Sequence, residues 1–296
     1  MRLFLLPIST RRTLIYCERI QETLKGGKAP LADRIIAYAS KTWANWEKTE
    51  KGWQKQTTVY GNRLLKRIPY EEWGLKSIPP ATKRRLKEID EGKYTFECLY
   101  PGAFMRNRNI SEILRTLATE RQGLHRKKMW TCIAWMPVTA PLQLLPVIPN
   151  LPFYYLVYRA WSHYRALYGS KLLEHLVNHN LIKEKDSQEM DEMYTSGLLY
   201  PTRPTARDAE KPSEAETESL GKEFEKLTQG GKEEVMLLRR WNGKLIAEAF
   251  RLPEMEVEIE RAVEQVEIAI KKAKAKKKEG TTEEQQAPTV EVEREK

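Results

Sequence analysis

Thirty consecutive residues, Met129 to Tyr158, carry no charged side chain, and Pro137, Pro141, Pro146, Pro149 and Pro152 stand among them. The run is longer than the ~20 apolar residues that cross a bilayer as one helix. Its prolines remove backbone donors and crowd the preceding turn, which excludes a single straight helix. Cysteine is scarce as well: Cys17, Cys98 and Cys132 have no paired spacing, so no disulfide framework is expected and a reducing compartment is the simpler setting. The chain lacks a phosphate-binding glycine motif, a Gly-x-Ser-x-Gly elbow, paired cysteines and a histidine beside a nucleophile. No catalytic residue, metal ligand or cofactor is therefore assigned, and the expectation is a protein that is not an enzyme. His175 and His179 stand four apart, but Glu174 precedes the first of them, so His-Glu-x-x-His is absent and the pair reads as solvated.

What flanks the uncharged run gives it a character. Arg126, Lys127 and Lys128 precede it, Trp130 and Trp135 lie in its first turns, and Tyr154, Tyr155, Tyr158 and Trp161 follow near its far end. Basic residues and amphipathic aromatics anchor a segment at the headgroup level. Those six aromatics are the expected membrane anchors. A turn-like stretch from Leu145 to Asn150 divides the run into two arms, Met129–Leu145 and Leu151–Leu167, so a bent, membrane-associated hairpin is expected. The second arm places Arg159, His163 and Arg165 along one helical side among aromatics, a pattern that suits an interfacial helix as well as a spanning one. These three are the polar candidates nearest the membrane.

Charge is unevenly placed. Residues 1–128 hold 27 Lys and Arg against 13 Asp and Glu, whereas residues 159–296 hold 24 against 28. The cluster Arg126–Lys128 beside the apolar run places the N-terminal side on the cytosol-equivalent face of a membrane. Basic groups there and at Lys83-Arg84-Arg85 suit anionic lipid; no nucleic-acid motif accompanies them, so nucleic acid is not an expected partner.

The expected fold is mainly α, with a small N-terminal antiparallel sheet, the Pro-broken hairpin in the middle and helices at the C-terminal end. Leu3–Ile8 and Thr13–Cys17 read as two short strands around a turn, and Tyr94–Tyr100 alternates as a third. The same opening, Arg-bearing and free of acids before Glu18, also resembles a mitochondrial targeting segment, and both readings stay open. Ile36, Ala39, Trp43, Trp46 and Trp53 recur on one helical face, Gly61 signals a turn, and Asn109-Ile-Ser-Glu112 forms a capping box. The organisation expected is a basic α+β domain (1–128), the apolar segment (129–168), a short helix opened by Ser170 (169–182), a flexible acidic linker (183–219), C-terminal helices (220–279) and a disordered tail (280–296). Helices are expected over about Glu233–Phe250 and Glu254–Lys278. The second carries Met255, Ile259, Ala262, Val266 and Ala269 on a seam suited to a partner helix.

Four blocks resemble the fungal mitochondrial K+/H+ exchange-related family: Met1–Cys17, Tyr60–Pro79, Pro146–Phe153 with Tyr158–His163, and Trp241–Ile246. The resemblance implies an inner-membrane protein tied to the potassium–proton exchange that controls matrix volume, its N-terminal domain facing the matrix and its partners being inner-membrane lipid and other proteins of that system. It also implies that Met1–Cys17 belongs to the fold. The function expected is a component or regulator of exchange; the alternative is a peripheral mitochondrial scaffold or assembly factor without transport activity.

Overall fold

The computed structural model describes residues 1–18, 31–106, 108–141, 151–227 and 233–286. Strands β1 (Arg2–Pro7) and β2 (Thr13–Cys17) form the expected antiparallel pair, with Leu3 opposite Cys17. The sheet is mixed rather than antiparallel. β3 (Phe96–Tyr100) joins β1 in parallel and β4 (Ile182–Asp186) joins β3 in parallel, giving the order β2-β1-β3-β4. A parallel neighbour needs a long crossover, and among the described residues four helices lie between β2 and β3. These are α1 (Leu31–Lys48), α2 (Trp53–Lys66), α3 (Tyr70–Ser77) and α4 (Lys83–Asp90), and the short α5 (Gly102–Met105) follows β3.

The continuous apolar run Leu3–Ile8 suits a strand covered on both faces. Leu3 and Leu5 point into one layer with Ile15, Phe96 and Cys98. That layer is closed by α3, α6 (Ile110–Thr119) and the long α8 (Leu151–Asn178). Phe4, Leu6 and Ile8 point the other way, into a layer built from α9 (Gln188–Leu199), α12 (Asn242–Ala249) and α13 (Pro253–Gln286). Each fully buried side chain of this size contributes about 1.5–3 kcal/mol.

Residues 183–219, expected as a flexible linker, are ordered: they hold β4, α9, α10 (Arg203–Asp208) and most of α11 (Glu214–Leu227). Their acidic, Pro-bearing composition hides a sparse apolar face. Met190 and Tyr194 are fully buried, Ser187 caps α9 by accepting from the Met190 amide at 3.3 Å, and the Tyr194 hydroxyl donates to the Pro7 carbonyl at 3.1 Å. Pro201, Pro204 and Pro212 sit at the joints between these helices, where a missing donor does least harm.

Four further expectations are corrected. The short helix at 169–182 is the end of α8, which runs unbroken through Ser170; the Ser170 hydroxyl donates to the Leu167 carbonyl at 2.8 Å instead of capping a new helix. Residues 233–241 are not helical, because they lie along the β1–β2 turn, where the Thr10 amide donates to the Val235 carbonyl and the Leu237 amide to the Ile8 carbonyl, both at 2.9 Å. Of the seam offered to a partner helix on Glu254–Lys278, Met255, Ile259, Ala262 and Val266 are fully buried against the chain's own core and Ala269 is half-buried. α13 continues to Gln286 in what was expected as a disordered tail; residues 287–296 lie outside the described ones.

Elsewhere the expected elements form. Asn109 caps α6 by accepting from the Glu112 amide at 3.1 Å. The tryptophan face divides between two paired helices, Trp46 of α1 meeting Trp53 of α2 with ring centroids 5.2 Å apart. The side chains of Ile36 and Ala39 lie outside the described residues. Gly61 is no turn but lies inside α2, where the Trp43 indole occupies the space a Cβ would need.

Candidate functional site

The uncharged run does fold back on itself. α7 (Gln122–Thr139) pairs with α8, and cross-contacts from Gln122 to Glu174 and from His125 to His163 make the pair antiparallel. The turn expected at 145–150 lies outside the described residues. No described helix is long and apolar enough to cross a membrane.

Burial divides the hairpin into a root and a projecting end. On α7 the buried positions end at His125, and on α8 they begin at Arg159. Between them Trp130, Trp135, Val138, Tyr154 and Val157 are exposed by 40% or more. Tyr155 and Trp161 are less open, and Tyr158 turns inward.

At the root, the two candidates Arg159 and His163 are brought together inside the body, with Glu72 of α3 and His125 of α7. The Arg159 guanidinium grips the Glu72 carboxylate in a fork, Nη1 to Oε1 at 2.7 Å and Nη2 to Oε2 at 3.1 Å, and the Ser162 hydroxyl donates to Oε1. Spacings of three and four put Arg159, Ser162 and His163 on one face of α8. Burial alone would raise the Glu72 carboxyl, but the hydrogen bonds from Arg159 and Ser162 outweigh it and hold the group below the usual carboxylate range. Burial pushes both His125 and His163 down to about 4, so both are neutral at neutral pH. Arg165, the third candidate, stays outside this cluster and donates to the Lys76 carbonyl at 3.3 Å.

The hydrogen bonds settle the tautomers. Arginine only donates, so His163 Nε2, 2.9 Å from Arg159 Nη2, must accept. Neutral His163 then carries its proton on Nδ1 and donates it to His125 Nδ1 at 3.1 Å. His125 is left with its proton on Nε2, which is buried without a partner among the described residues. Glu72, His125 and His163 bring three metal-type donor atoms within 4.8 Å of one another, yet the set does not suit a metal. A cation on His163 Nδ1 would force a proton onto Nε2, facing a guanidinium N–H, whereas a ligating histidine needs an acceptor there. Ser162 donates to a carboxylate rather than to an imidazole, so no activated nucleophile results.

Beside this network lies Lys76, one turn after Glu72 on α3. Its ammonium sits 3.5 Å from the Trp73 ring centroid, 5.2 Å from that of Tyr158 and 5.4 Å from that of Trp161, and donates to the Tyr158 hydroxyl at 3.3 Å. Arg261 of α13 also lies over Trp73, 4.2 Å from its centroid. Burial pushes Lys76 down to about 7. Tyr158 and Trp161, expected as lipid anchors, thus contact a cation of the body. Glu72, His125 and Lys76 escaped the sequence reading because they lie 87, 38 and 82 positions from the α8 residues they meet, Arg159, His163 and Tyr158 respectively.

Residues 2–177 match the model of a family described as mitochondrial K+-H+ exchange-related. The chain belongs to that family. The match covers both the Glu72 network and the hairpin and ends before Trp241–Ile246, the last of the four resembling blocks. An uncharacterized protein of Schizosaccharomyces pombe is 28% identical over 204 residues, covering 68% of this chain and 87% of its own length. An uncharacterized protein of Saccharomyces cerevisiae is 27% identical over 243 residues, covering 73% of this chain and 74% of its own length. No solved structure matches.

Proposed function

We propose that this member of the K+-H+ exchange-related family is a regulatory component of potassium–proton exchange at the mitochondrial inner membrane, held on the matrix face by the α7–α8 hairpin, and not itself the exchanger. The observation that carries this reading is the projecting end of the hairpin. Its described arms, 129–139 and 151–158, carry no charge, expose several aromatics and are collared by Arg126, Lys127 and Lys128. Contiguous apolar surface of this kind marks an interaction site, and the basic collar favours anionic headgroups. From Lys128 to Thr139, and from Arg159 back to Leu151, the arms extend about 12–17 Å at ~1.5 Å per residue. That is roughly half of a ~30 Å hydrocarbon core, a depth that suits insertion into one leaflet.

An ion carrier would place ionisable groups along its apolar segments. Here the run itself holds no Asp, Glu, Lys, Arg or His, and Arg159 and His163 beyond its second arm are committed to Glu72 and His125 inside the body. Mitochondria from cells lacking the chain are expected to swell more slowly in potassium acetate. Wild type should restore the rate, and a chain carrying Trp130→Ser and Trp135→Ser should not. Unchanged swelling without the chain would reject a role in exchange. Rapid potassium-driven proton movement by the purified chain in liposomes would instead make it the exchanger.

A further inference from the structure

We propose that the cavity between the β1–β2 turn and α6 binds an organic anion with a single acidic group on an apolar body, with Arg108 as its anchoring charge. The cavity measures about 730 Å³, inside the ~300–1,000 Å³ range of small-molecule sites. It is two-faced. Ile15, Leu75, Ile113 and Leu117 give it apolar walls, while Arg11, Arg12, Arg108 and Arg121 bring four guanidinium groups to its lining. Arg12 meets Glu234 at 3.1 Å and Arg121 meets Glu71 at 2.7 Å.

Arg108 differs. Its guanidinium donates to the Thr10 carbonyl, and among the described residues no carboxylate pairs with it. Burial lowers its pKa with no opposing charge to offset the loss of water. A bound carboxylate or phosphate would supply that charge through the charge-assisted, forked contacts that arginine makes best. Glu112 and Glu120 line the cavity as well. Their charges oppose a polyanion, which is why one acidic group is inferred rather than a nucleotide or a polyphosphate. None of the hairpin's exposed aromatics lines this cavity, so the inference does not depend on membrane attachment.

Such a ligand could come from the lipid phase or from solution, and two probes separate the sources. Calorimetric titration of the purified full chain with dodecanoate and with 4-phenylbutyrate should give saturable one-to-one binding of at least one; the tighter of the two identifies the long-chain or the compact class. Arg108→Gln should weaken that binding at least tenfold. Because Arg108 also holds the Thr10 carbonyl, Thr116→Trp provides a second variant; it fills the cavity from an exposed position on α6 and should abolish binding with an unchanged melting temperature. Absence of saturable binding by both probes would overturn the proposal. So would affinity retained in both variants, or displacement of the probes by equimolar inorganic phosphate, which has no apolar body.

Discussion

Replacing Arg159 by methionine would leave the Glu72 carboxylate buried beside Ser162 without the guanidinium that is hydrogen-bonded to it. Breaking a buried pair from one side costs about 3–5 kcal/mol, whereas replacing both partners by apolar groups of similar size is often neutral. Urea unfolding should show this asymmetry: Arg159→Met is expected to lose about that much stability, and Glu72→Leu combined with Arg159→Met should recover most of it. Equal losses in the single and the double variant would mean that the pair contributes shape and not charge. Lys76 gives a test with a pH axis. Its folded pKa, about 7, lies below the ordinary lysine value of 10.5, so between those pH values the unfolded chain binds more protons than the folded one. Stability contributed at this site must therefore rise with pH across that window. The Lys76→Met variant, which never titrates, should lack this rise, and its stability advantage over wild type should shrink from pH 7 to pH 10. Glu72, Glu258, Arg159 and Arg261 face the same ammonium, and the three rings favour its charged form. A stability difference that stays flat with pH would show that the rings hold Lys76 at its ordinary pKa.

Among the elements, the hairpin was the most legible from sequence and β4 the least. An uncharged, Pro-divided, aromatic-rich run has few other ways to fold than as two arms, and two helices form there. The reading missed where the arms enter the body, because the partners at the root, Glu72 and His125, come from distant sequence. β4 reads Ile-Lys-Glu-Lys-Asp, with no apolar alternation. It is an edge strand, and charged side chains protect such an edge from pairing with other chains, so the feature that suits it to its place also hides it. The projecting end of the hairpin makes a prediction at this scale. Trp130 and Trp135 are exposed, so changing both to serine should alter stability by no more than about 0.5 kcal/mol each. Co-sedimentation with cardiolipin-containing vesicles should nonetheless fall several-fold. Vesicle binding that survives these changes would move the membrane contact to another surface.

At the scale of the whole molecule, the family match and the folding unit do not coincide. Residues 2–177 supply β1, β2, β3 and the helices on one face of the sheet. The strand beside β3 and the cover of the other face come from beyond residue 181, where Met190, Tyr194, Leu237, Ile246, Met255, Ile259 and Val266 are buried against Phe4, Leu6 and Leu14. A chain ending at Asn178 would expose that whole layer and leave β3 as an open, apolar edge. At about 1.5–3 kcal/mol for each large side chain uncovered, the loss exceeds the ~5–15 kcal/mol by which folded proteins are stable. The fragment 1–178 is therefore expected to aggregate when produced alone, and to recover as a soluble one-to-one complex when residues 179–286 are co-expressed as a separate chain. A fragment that melts cooperatively by itself, at the temperature of the full chain, would show that the second layer is an addition to a finished domain. If the complex forms, the covering half is part of the fold that sets the Glu72–Arg159 network, since Arg261 of α13 and Lys76 of α3 meet on the same Trp73 ring.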